Sequence, residues 1–210
     1  MGGHVALLGD SILDNSAYVG SGPDVATQLR ALLPAPWRVT LLAVDGSTAR
    51  DLGGQLAKIP PDVTYLAISV GGNDAILNSD LLGLTVSSTA EAIIAFGVRA
   101  DAFERDYRAA IEAACALGRR TTVSTIYNGN LSAIEAPLAR IALRVFNDVI
   151  LRVAFERHLD VIDLRLICSD AADYANEIEP SARGGGKIAL AIARSLGVME
   201  QEALCSRVYA

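Results

Sequence analysis

Three short segments of the sequence carry the residue types that acyl transfer needs. This chemistry requires a nucleophilic oxygen and two or three hydrogen-bond donors directed at the oxyanion that develops in the transition state. Ser11 offers its hydroxyl as the nucleophile. Its own backbone N–H, the backbone N–H of Gly46 and the side-chain amide of Asn73 would supply the donors. Glycine suits this role because no side chain stands between its N–H and a tetrahedral oxygen.

Each segment follows a short apolar run that predicts a buried strand, and amphipathic stretches lie between the runs. The runs predict strands over residues 5–8, 38–44, 63–70, 121–126 and 160–164. The amphipathic stretches predict helices over residues 23–33, 48–58, 90–117, 134–157 and 184–196. Strands separated by helices form βαβ units, so the pattern predicts a parallel sheet in a three-layer α/β/α fold. Since no linker or repeat divides the chain, residues 1–210 are expected to form a single domain.

Ligands of such folds bind beyond the carboxyl ends of the strands, where the loops converge. The site is therefore expected among five loops, which start near Gly9, Asp45, Gly71, Tyr127 and Arg165. The candidate nucleophile and oxyanion donors all fall in the first three of these loops.

The composition excludes several classes of protein. With 51% hydrophobic and 20% charged residues, the chain is neither disordered nor collagen-like. The formal net charge is −6 and the 18 Lys and Arg residues are scattered, so no nucleic acid is expected as a partner. No apolar run reaches about 18 residues, so no membrane span is expected.

The cysteines and the amino terminus bear on the compartment. Cys115, Cys168 and Cys205 show no C-x-x-C spacing, so they are interpreted as small buried hydrophobes rather than a disulfide framework or a zinc site. Residues 1–10 have no basic region ahead of their short apolar run, unlike a signal peptide. Both observations favour a reducing, cytoplasmic location.

The three chemical segments resemble blocks I, II and III of the SGNH hydrolases, also called GDSL esterases and lipases. The matching residues, in the same order and spacing, are Gly9-Asp10-Ser11, Gly46 and Gly72-Asn73-Asp74. The resemblance extends from about residue 4 to about residue 197. It implies a flavodoxin-like five-stranded parallel sheet and a serine hydrolase that acts on small-molecule esters without a metal or cofactor. It also implies that Ser11 is the nucleophile and that Ser11, Gly46 and Asn73 form the oxyanion hole.

A further block departs from the family pattern. The family's general base is a His in a D-x-x-H-P frame before the last helix, whereas this chain has Asn176-Glu177-Ile178-Glu179-Pro180 there. Glu179 aligns with the His and Asn176 with the supporting Asp, which makes Glu179 the candidate base. Because a free Glu has a pKa of about 4.3, burial or a nearby carboxylate would have to raise it. The acids considered as such neighbours are Asp14, Asp74, Asp170, Asp173 and Glu177.

Neither histidine fits the role of the base. His4 lies on the first strand, up to ~20 Å from Ser11 at about 3.3 Å per residue. His158 precedes the fifth strand, so it is expected at the edge of the sheet opposite the site. The sequence therefore favours slow hydrolysis of small or short-acyl esters through a Ser11 acyl-enzyme, with Glu179 in place of a histidine.

Other functions stay open at this point. A catalytically weak or silent domain of the same fold would bind a ligand or partner in the same cleft, and the missing His and Asp favour it. A nucleotide-binding module would need a G-x-G-x-x-G or Walker-type loop, which the sequence lacks. The apolar segment 81–96 fits core packing or an acyl-binding groove, whereas an exposed apolar patch there would indicate a dimer surface. A homodimer is therefore one of the open oligomeric states.

Overall fold

The central sheet holds the predicted strands side by side. The structure is a computed structural model and describes residues 2–199. Its strands are β1 (His4–Gly9), β2 (Arg38–Leu41), β3 (Tyr65–Ser69), β4 (Arg120–Ser124) and β5 (Asp160–Ile162). They pair in parallel in the order β2-β1-β3-β4-β5. This is the flavodoxin-like order, so the predicted five-stranded α/β/α fold is confirmed.

Helices cover both faces of the sheet. Within the described residues they are α1 (Val25–Leu32), α2 (Leu52–Leu56), α3 (Gly72–Leu77), α4 (Thr89–Cys115), α5 (Glu135–Glu156), α6 (Leu164–Ile167) and α7 (Ala182–Ser195). Short 3-10 helices span Ala49–Asp51, Ser79–Gly83 and Ala171–Asp173. Successive side chains of a strand point to opposite faces. Val5 and Leu7 of β1 therefore pack with α1 and α7, while Ala6 and Leu8 pack with α2, α4 and α5.

The elements differ from the sequence prediction mainly at the carboxyl edge of the sheet. β2 ends at Leu41 rather than at residue 44. Helices α3 and α6 lie where loops were predicted, because six-residue and four-residue helices are too short to show helical periodicity. Cys168 is buried and Cys115 is partly buried, while Cys205 lies outside the described residues.

Helices α4 and α5 are much longer than the strands they connect. At about 1.5 Å per residue, the 27 residues of α4 extend roughly 40 Å, against roughly 17 Å for the five residues of β4. The first buried residue of α4 is Ala100, and that of α5 is Phe146. Residues 89–99 and 135–145 therefore project beyond the core. None of the helices in 2–199 combines the length and the apolar character needed to cross a membrane.

Helix α7 has three consecutive glycines near its start, Gly184 to Gly186, which let it approach its neighbours closely. A Cβ at Gly184 would lie 2.1 Å from the carbonyl oxygen of Asp173. A Cβ at Gly186 would lie 2.5 Å from Oε1 of Gln28 in α1. The helix N-cap is Ser181, whose hydroxyl accepts a hydrogen bond from the N–H of Gly184. Close packing with α1 thus fixes the start of α7 and the loop before it.

Candidate active site

The hydroxyl of Ser11 donates a hydrogen bond to the carboxylate of Glu179. The distance from Ser11 Oγ to Glu179 Oε1 is 3.1 Å, and both residues are only 6% exposed. The two residues are 168 positions apart in the chain. A general base has to lie within about 2.6–3.2 Å of the oxygen whose proton it takes. The structure therefore places the candidate nucleophile and the candidate base at a distance suited to proton transfer.

A tight turn after β1 presents Ser11. Gly9 has a φ of 125°, and a Cβ there would lie 1.7 Å from the carbonyl oxygen of Ser69, so only glycine fits. The N–H of Asp10 donates to that same carbonyl oxygen at 3.0 Å. The carboxylate of Asp10 accepts the N–H of Ile12 at 3.1 Å, which closes the turn around Ser11.

The two other predicted oxyanion donors lie next to this turn. Gly46 has a φ of 81°, and a Cβ there would meet no atom within 4 Å, so backbone conformation rather than local space selects glycine. Asn73 Nδ2 donates to the carbonyl oxygen of Ser47 at 2.9 Å, which joins α3 to the loop of Gly46. A second amide hydrogen of Asn73 remains for a ligand. Within residues 2–199, neither the N–H of Ser11 nor that of Gly46 donates to another residue.

Gln55 is a positioning residue that the sequence analysis missed. Its side chain accepts the N–H of Gly9 at 2.7 Å and donates to the carbonyl oxygen of Gly9 at 2.8 Å. It also donates to Ser47 Oγ at 3.2 Å. The buried amide of Gln55 thus links the turn of Ser11 to the loop of Gly46. The available signal was a polar residue between Leu52 and Leu56 on the apolar face of a helix.

The surroundings of Glu179 favour its protonated form. Burial raises the pKa of Glu179 above its usual value, the hydrogen bond from Ser11 opposes this, and the negative charge of Asp45 adds to it. Asp45 is not among the acids proposed as neighbours from the sequence. The second carboxylate oxygen, Oε2, is buried and has no hydrogen-bond partner among the described residues. The burial of this oxygen is therefore not compensated by a hydrogen bond among the described residues.

Asp10 is also buried beside Ser11, and its pKa is raised in the same direction as that of Glu179. Complete burial raises the pKa of Asp10 to about 8, the N–H of Ile12 opposes the shift, and the charges of Glu179 and Asp74 add to it. At neutral pH, Asp10 therefore holds a proton.

Asn176 shapes the loop that carries Glu179. Its Oδ1 accepts the N–H groups of Ile178 at 2.9 Å and Glu179 at 2.8 Å. The carbonyl oxygen of Ile178 accepts the hydroxyl of Tyr127 at 2.5 Å. Asn176 therefore holds the backbone around the carboxylate and makes no hydrogen bond to the carboxylate itself.

The structure places both histidines away from Ser11. His4 lies at the amino end of β1, where its ring nitrogens bond to Asp62 at 3.1 Å and Thr40 at 2.7 Å. His158 is exposed just after α5, with a φ of 54°. Both lie at the edge of the sheet where the strands begin, opposite the edge that holds Ser11.

A cavity of about 310 Å³ opens beside Ser11, Asn73 and Glu179. Most of its wall is apolar, and the isoleucines and leucines in it are Ile12, Ile76, Leu82, Ile126, Leu131, Leu138, Leu143 and Ile178. Loops after β1, β3 and β4 contribute to the wall, as predicted. The chain that follows β5 also contributes to the wall, through Ile178 and Glu179, whereas no residue of the loop predicted to start near Asp45 is among the lining residues.

Comparison with known proteins connects this geometry to a family. Solved structures with the same fold include an extracellular lipase from Streptomyces rimosus, which is 16% identical with a TM-score of 0.69 and covers 92% of this chain and 99% of its own. An acetylxylan esterase from Geobacillus stearothermophilus is 20% identical with a TM-score of 0.69 and covers 93% of this chain and 94% of its own. At these identities the likeness shows the fold.

No curated protein matches the sequence. The model of the GDSL-like lipase/acylhydrolase family, however, matches residues 7–185, a span that contains the turn of Ser11, the loops of Gly46 and Asn73, and Glu179. A match over most of the chain, on a sheet of the expected order, makes this protein a member of the GDSL-like lipase/acylhydrolase family.

Proposed function

We propose that this protein is a serine ester hydrolase in which Ser11 is the nucleophile and Glu179 the general base. The observation that carries the proposal is the 3.1 Å hydrogen bond from Ser11 Oγ to Glu179 Oε1 at the wall of an apolar cavity. A buried serine bonded to a carboxylate that no cation neutralises is poised to lose its proton to that carboxylate.

The reaction follows from these positions. Ser11 Oγ attacks the ester carbonyl carbon while its proton passes to Glu179, and the carbonyl oxygen becomes an oxyanion. The N–H groups of Ser11 and Gly46 and the amide of Asn73 stabilise this oxyanion. Glu179 then returns the proton to the leaving alcohol, which leaves an acyl-enzyme on Ser11. A water molecule, deprotonated by Glu179, attacks the acyl carbon and releases the acid with Ser11 restored.

The raised pKa of Glu179 supports its role, because a carboxylate with a higher pKa is a stronger base towards a hydroxyl. The oxyanion hole also contributes independently of the base. In serine proteases that have lost a catalytic residue, the oxyanion hole and substrate binding alone still accelerate hydrolysis about 10³–10⁴-fold over the uncatalysed reaction in water. Slow but measurable turnover is therefore consistent with a carboxylate in place of a histidine.

The cavity favours an uncharged ester with an apolar acyl chain. Its volume is close to the lower end of the roughly 300–1,000 Å³ range of small-molecule sites. Asp10, Glu135 and Glu179 are the ionisable acids in its wall, and no Lys or Arg accompanies them among the described lining residues. An anionic substrate would meet repulsion there, whereas short and medium acyl chains fit the apolar side chains.

Hydrolysis of p-nitrophenyl acetate, butyrate and octanoate tests the proposal. The wild type is expected to hydrolyse all three, and Ser11→Ala is expected to lose activity to the background rate. Ser16→Ala, which changes an exposed serine nearby, is the matched control. A fluorophosphonate should label the wild type at Ser11, as detected by peptide mass spectrometry. Equal rates for the wild type and Ser11→Ala, with no labelling, would contradict the proposal and support a domain that only binds a ligand.

A further inference from the structure

Large apolar side chains are exposed at the edge of the sheet that holds Ser11, next to the cavity. We define the collar as nine large apolar side chains that range from 47% exposed at Leu82 to 82% exposed at Ile134. The members are Leu77, Leu82, Leu84, Ile93, Ile94, Val98, Ile134, Leu138 and Ile141. They come from three consecutive features at one edge of the fold: the segment after β3, the start of α4 and the start of α5.

The topology brings these features to the edge that holds Ser11. Each helix returns the chain from the carboxyl end of one strand to the amino end of the next, so α4 and α5 both begin at the carboxyl edge. Their first eleven residues, 89–99 and 135–145, are the parts that project beyond the core. An ion pair of 3.1 Å between Arg99 and Asp80 joins α4 to the 3-10 helix after α3.

The collar is continuous with the cavity wall. Leu82 and Leu138 belong to both, since each lines the cavity and is about half exposed. An apolar acyl chain leaving an apolar medium at the collar would therefore reach Ser11 without crossing an extended polar surface. This continuity makes the collar part of the route that a substrate follows.

The collar is too apolar for a surface that stays in water. Full burial of an isoleucine or leucine side chain is favourable by roughly 1.5–3 kcal/mol, and contiguous exposed patches of this kind mark sites of association. Charge is also sparse around it. Residues 81–98 contain Glu91 as their only ionisable side chain, and residues 131–141 contain Glu135 and Arg140. The collar therefore suits an apolar and electrically neutral partner.

We propose that the collar docks on the surface of aggregated neutral or zwitterionic lipid, from which the cavity draws its ester. This inference rests on the proposed function and names where its substrate comes from. A second copy of the chain on the collar would cover the mouth of the cavity and block substrate entry. The net charge of −6 opposes an anionic lipid surface. The projecting ends of α4 and α5 would insert their apolar side chains at the lipid–water boundary, as interfacial helices do.

Flotation with vesicles tests the docking separately from catalysis. Ser11→Ala serves as the parent protein, so that no lipid is hydrolysed during the experiment. This parent is expected to float with phosphatidylcholine vesicles and to bind less to vesicles that contain phosphatidylglycerol. Adding Ile94→Asn and Ile134→Asn is expected to weaken binding to phosphatidylcholine by roughly tenfold or more, since apolar area sets interfacial affinity.

Leu117→Asn in the same parent is the matched control. Leu117 is 43% exposed and lies at the other end of α4, away from the collar. Its substitution should leave vesicle binding unchanged, and a thermal melt checks that each variant is folded. Absence of binding to phosphatidylcholine, an equal loss in the control, or a stable dimer in sedimentation velocity that Ile94→Asn and Ile134→Asn dissociate would overturn the docking proposal. None of these results affects hydrolysis of dissolved p-nitrophenyl acetate, which tests the proposed function alone.

Discussion

Asp173 and Glu179 are two buried carboxylates six residues apart, and their surroundings shift their proton affinities in opposite directions. Burial acts to raise the pKa of Asp173, but the hydrogen bond and charge of Lys187, the N–H of Asp170 and the charge of Arg183 outweigh it and hold the pKa below its usual value. The Lys187 Nζ to Asp173 Oδ2 distance is 2.7 Å. Glu179 has no cation beside it within residues 2–199, and burial raises its pKa.

The comparison teaches how one loop serves two purposes. The carboxylate of Asp173 is ionised and bound to α7 through Lys187, so it fixes the loop. The carboxylate of Glu179 is left uncompensated beside Ser11, so it keeps the affinity for a proton that a base requires. Removing each charge should therefore affect different properties of the protein.

The largest expected effect is on catalysis. Glu179→Gln keeps the shape of the side chain and removes its ability to take the Ser11 proton, so kcat for p-nitrophenyl butyrate should fall by about 100-fold or more. Glu177→Gln changes an exposed acid two residues earlier and should keep the wild-type rate. A rate in Glu179→Gln within about twofold of the wild type would show that Glu179 is not the base.

The second effect is on stability. Asp173→Asn leaves Lys187 without its buried partner, so urea unfolding should show a free energy of unfolding lower by about 2 kcal/mol. The rate constant kcat at low temperature should change much less than in Glu179→Gln. If Asp173→Asn instead lowers kcat as much as Glu179→Gln with no change in stability, the assignment of a structural role to Asp173 is wrong.

A third effect concerns the pH dependence of stability. Asp10 binds its proton up to a pKa of about 8 in the folded state, whereas it ionises near its usual value of 3.8 when unfolded. Between these values the folded state holds the extra proton, so this group lowers the free energy of unfolding by up to about 1.4 kcal/mol for each pH unit that the pH rises.

Asp10→Asn removes this pH-dependent contribution to the free energy of unfolding, and the new side chain can still accept the N–H of Ile12. In urea unfolding at about pH 5, about pH 6 and about pH 7, the free energy of unfolding of the variant should increase relative to that of the wild type with each rise in pH. Parallel pH profiles of the two proteins would mean that Asp10 ionises normally when buried.

The smallest effect is a displacement of the pH–rate profile. Because Glu179 must be ionised to act as a base, kcat/KM should rise with pH through a pKa above 4.5. Glu179→His should move this rise towards about 6.5, the pKa of a free histidine. If the pH–rate profile of Glu179→His is the same as that of the wild type, a group other than Glu179 controls the fall in kcat/KM at low pH.

The sequence predicts the fold well because alternating apolar and amphipathic stretches leave few other arrangements. The motif positions also predict Ser11, Gly46 and Asn73 at one edge, since the carboxyl ends of parallel strands meet there. It does not predict Gln55, whose partners are backbone groups of a glycine 46 residues away.

The sequence also does not predict which apolar side chains are exposed. The apolar spacing in 90–117 predicts the helix, but periodicity alone does not tell where the helix leaves the core, and residues 89–99 project beyond it. Residues 81–96 expose Leu82, Leu84, Ile93 and Ile94, the exposure that the sequence analysis associated with a dimer surface, and Leu82 also lines the cavity.

The glycines at the start of α7 have a consequence for local motion. Glycine disfavours helix by about 0.8–1.0 kcal/mol per residue relative to alanine, so the start of α7, where Gly184, Gly185 and Gly186 are the third to fifth residues, has little intrinsic tendency to form. Contacts with α1 and the pairing of Lys187 with Asp173 hold it instead. The backbone amides there should therefore exchange hydrogen faster than those in the rest of α7, and only Pro180 and Ser181 separate this part of the helix from Glu179. Glu179 thus lies just before the part of α7 that is expected to open first, and a ligand that contacts Glu179 should slow that exchange.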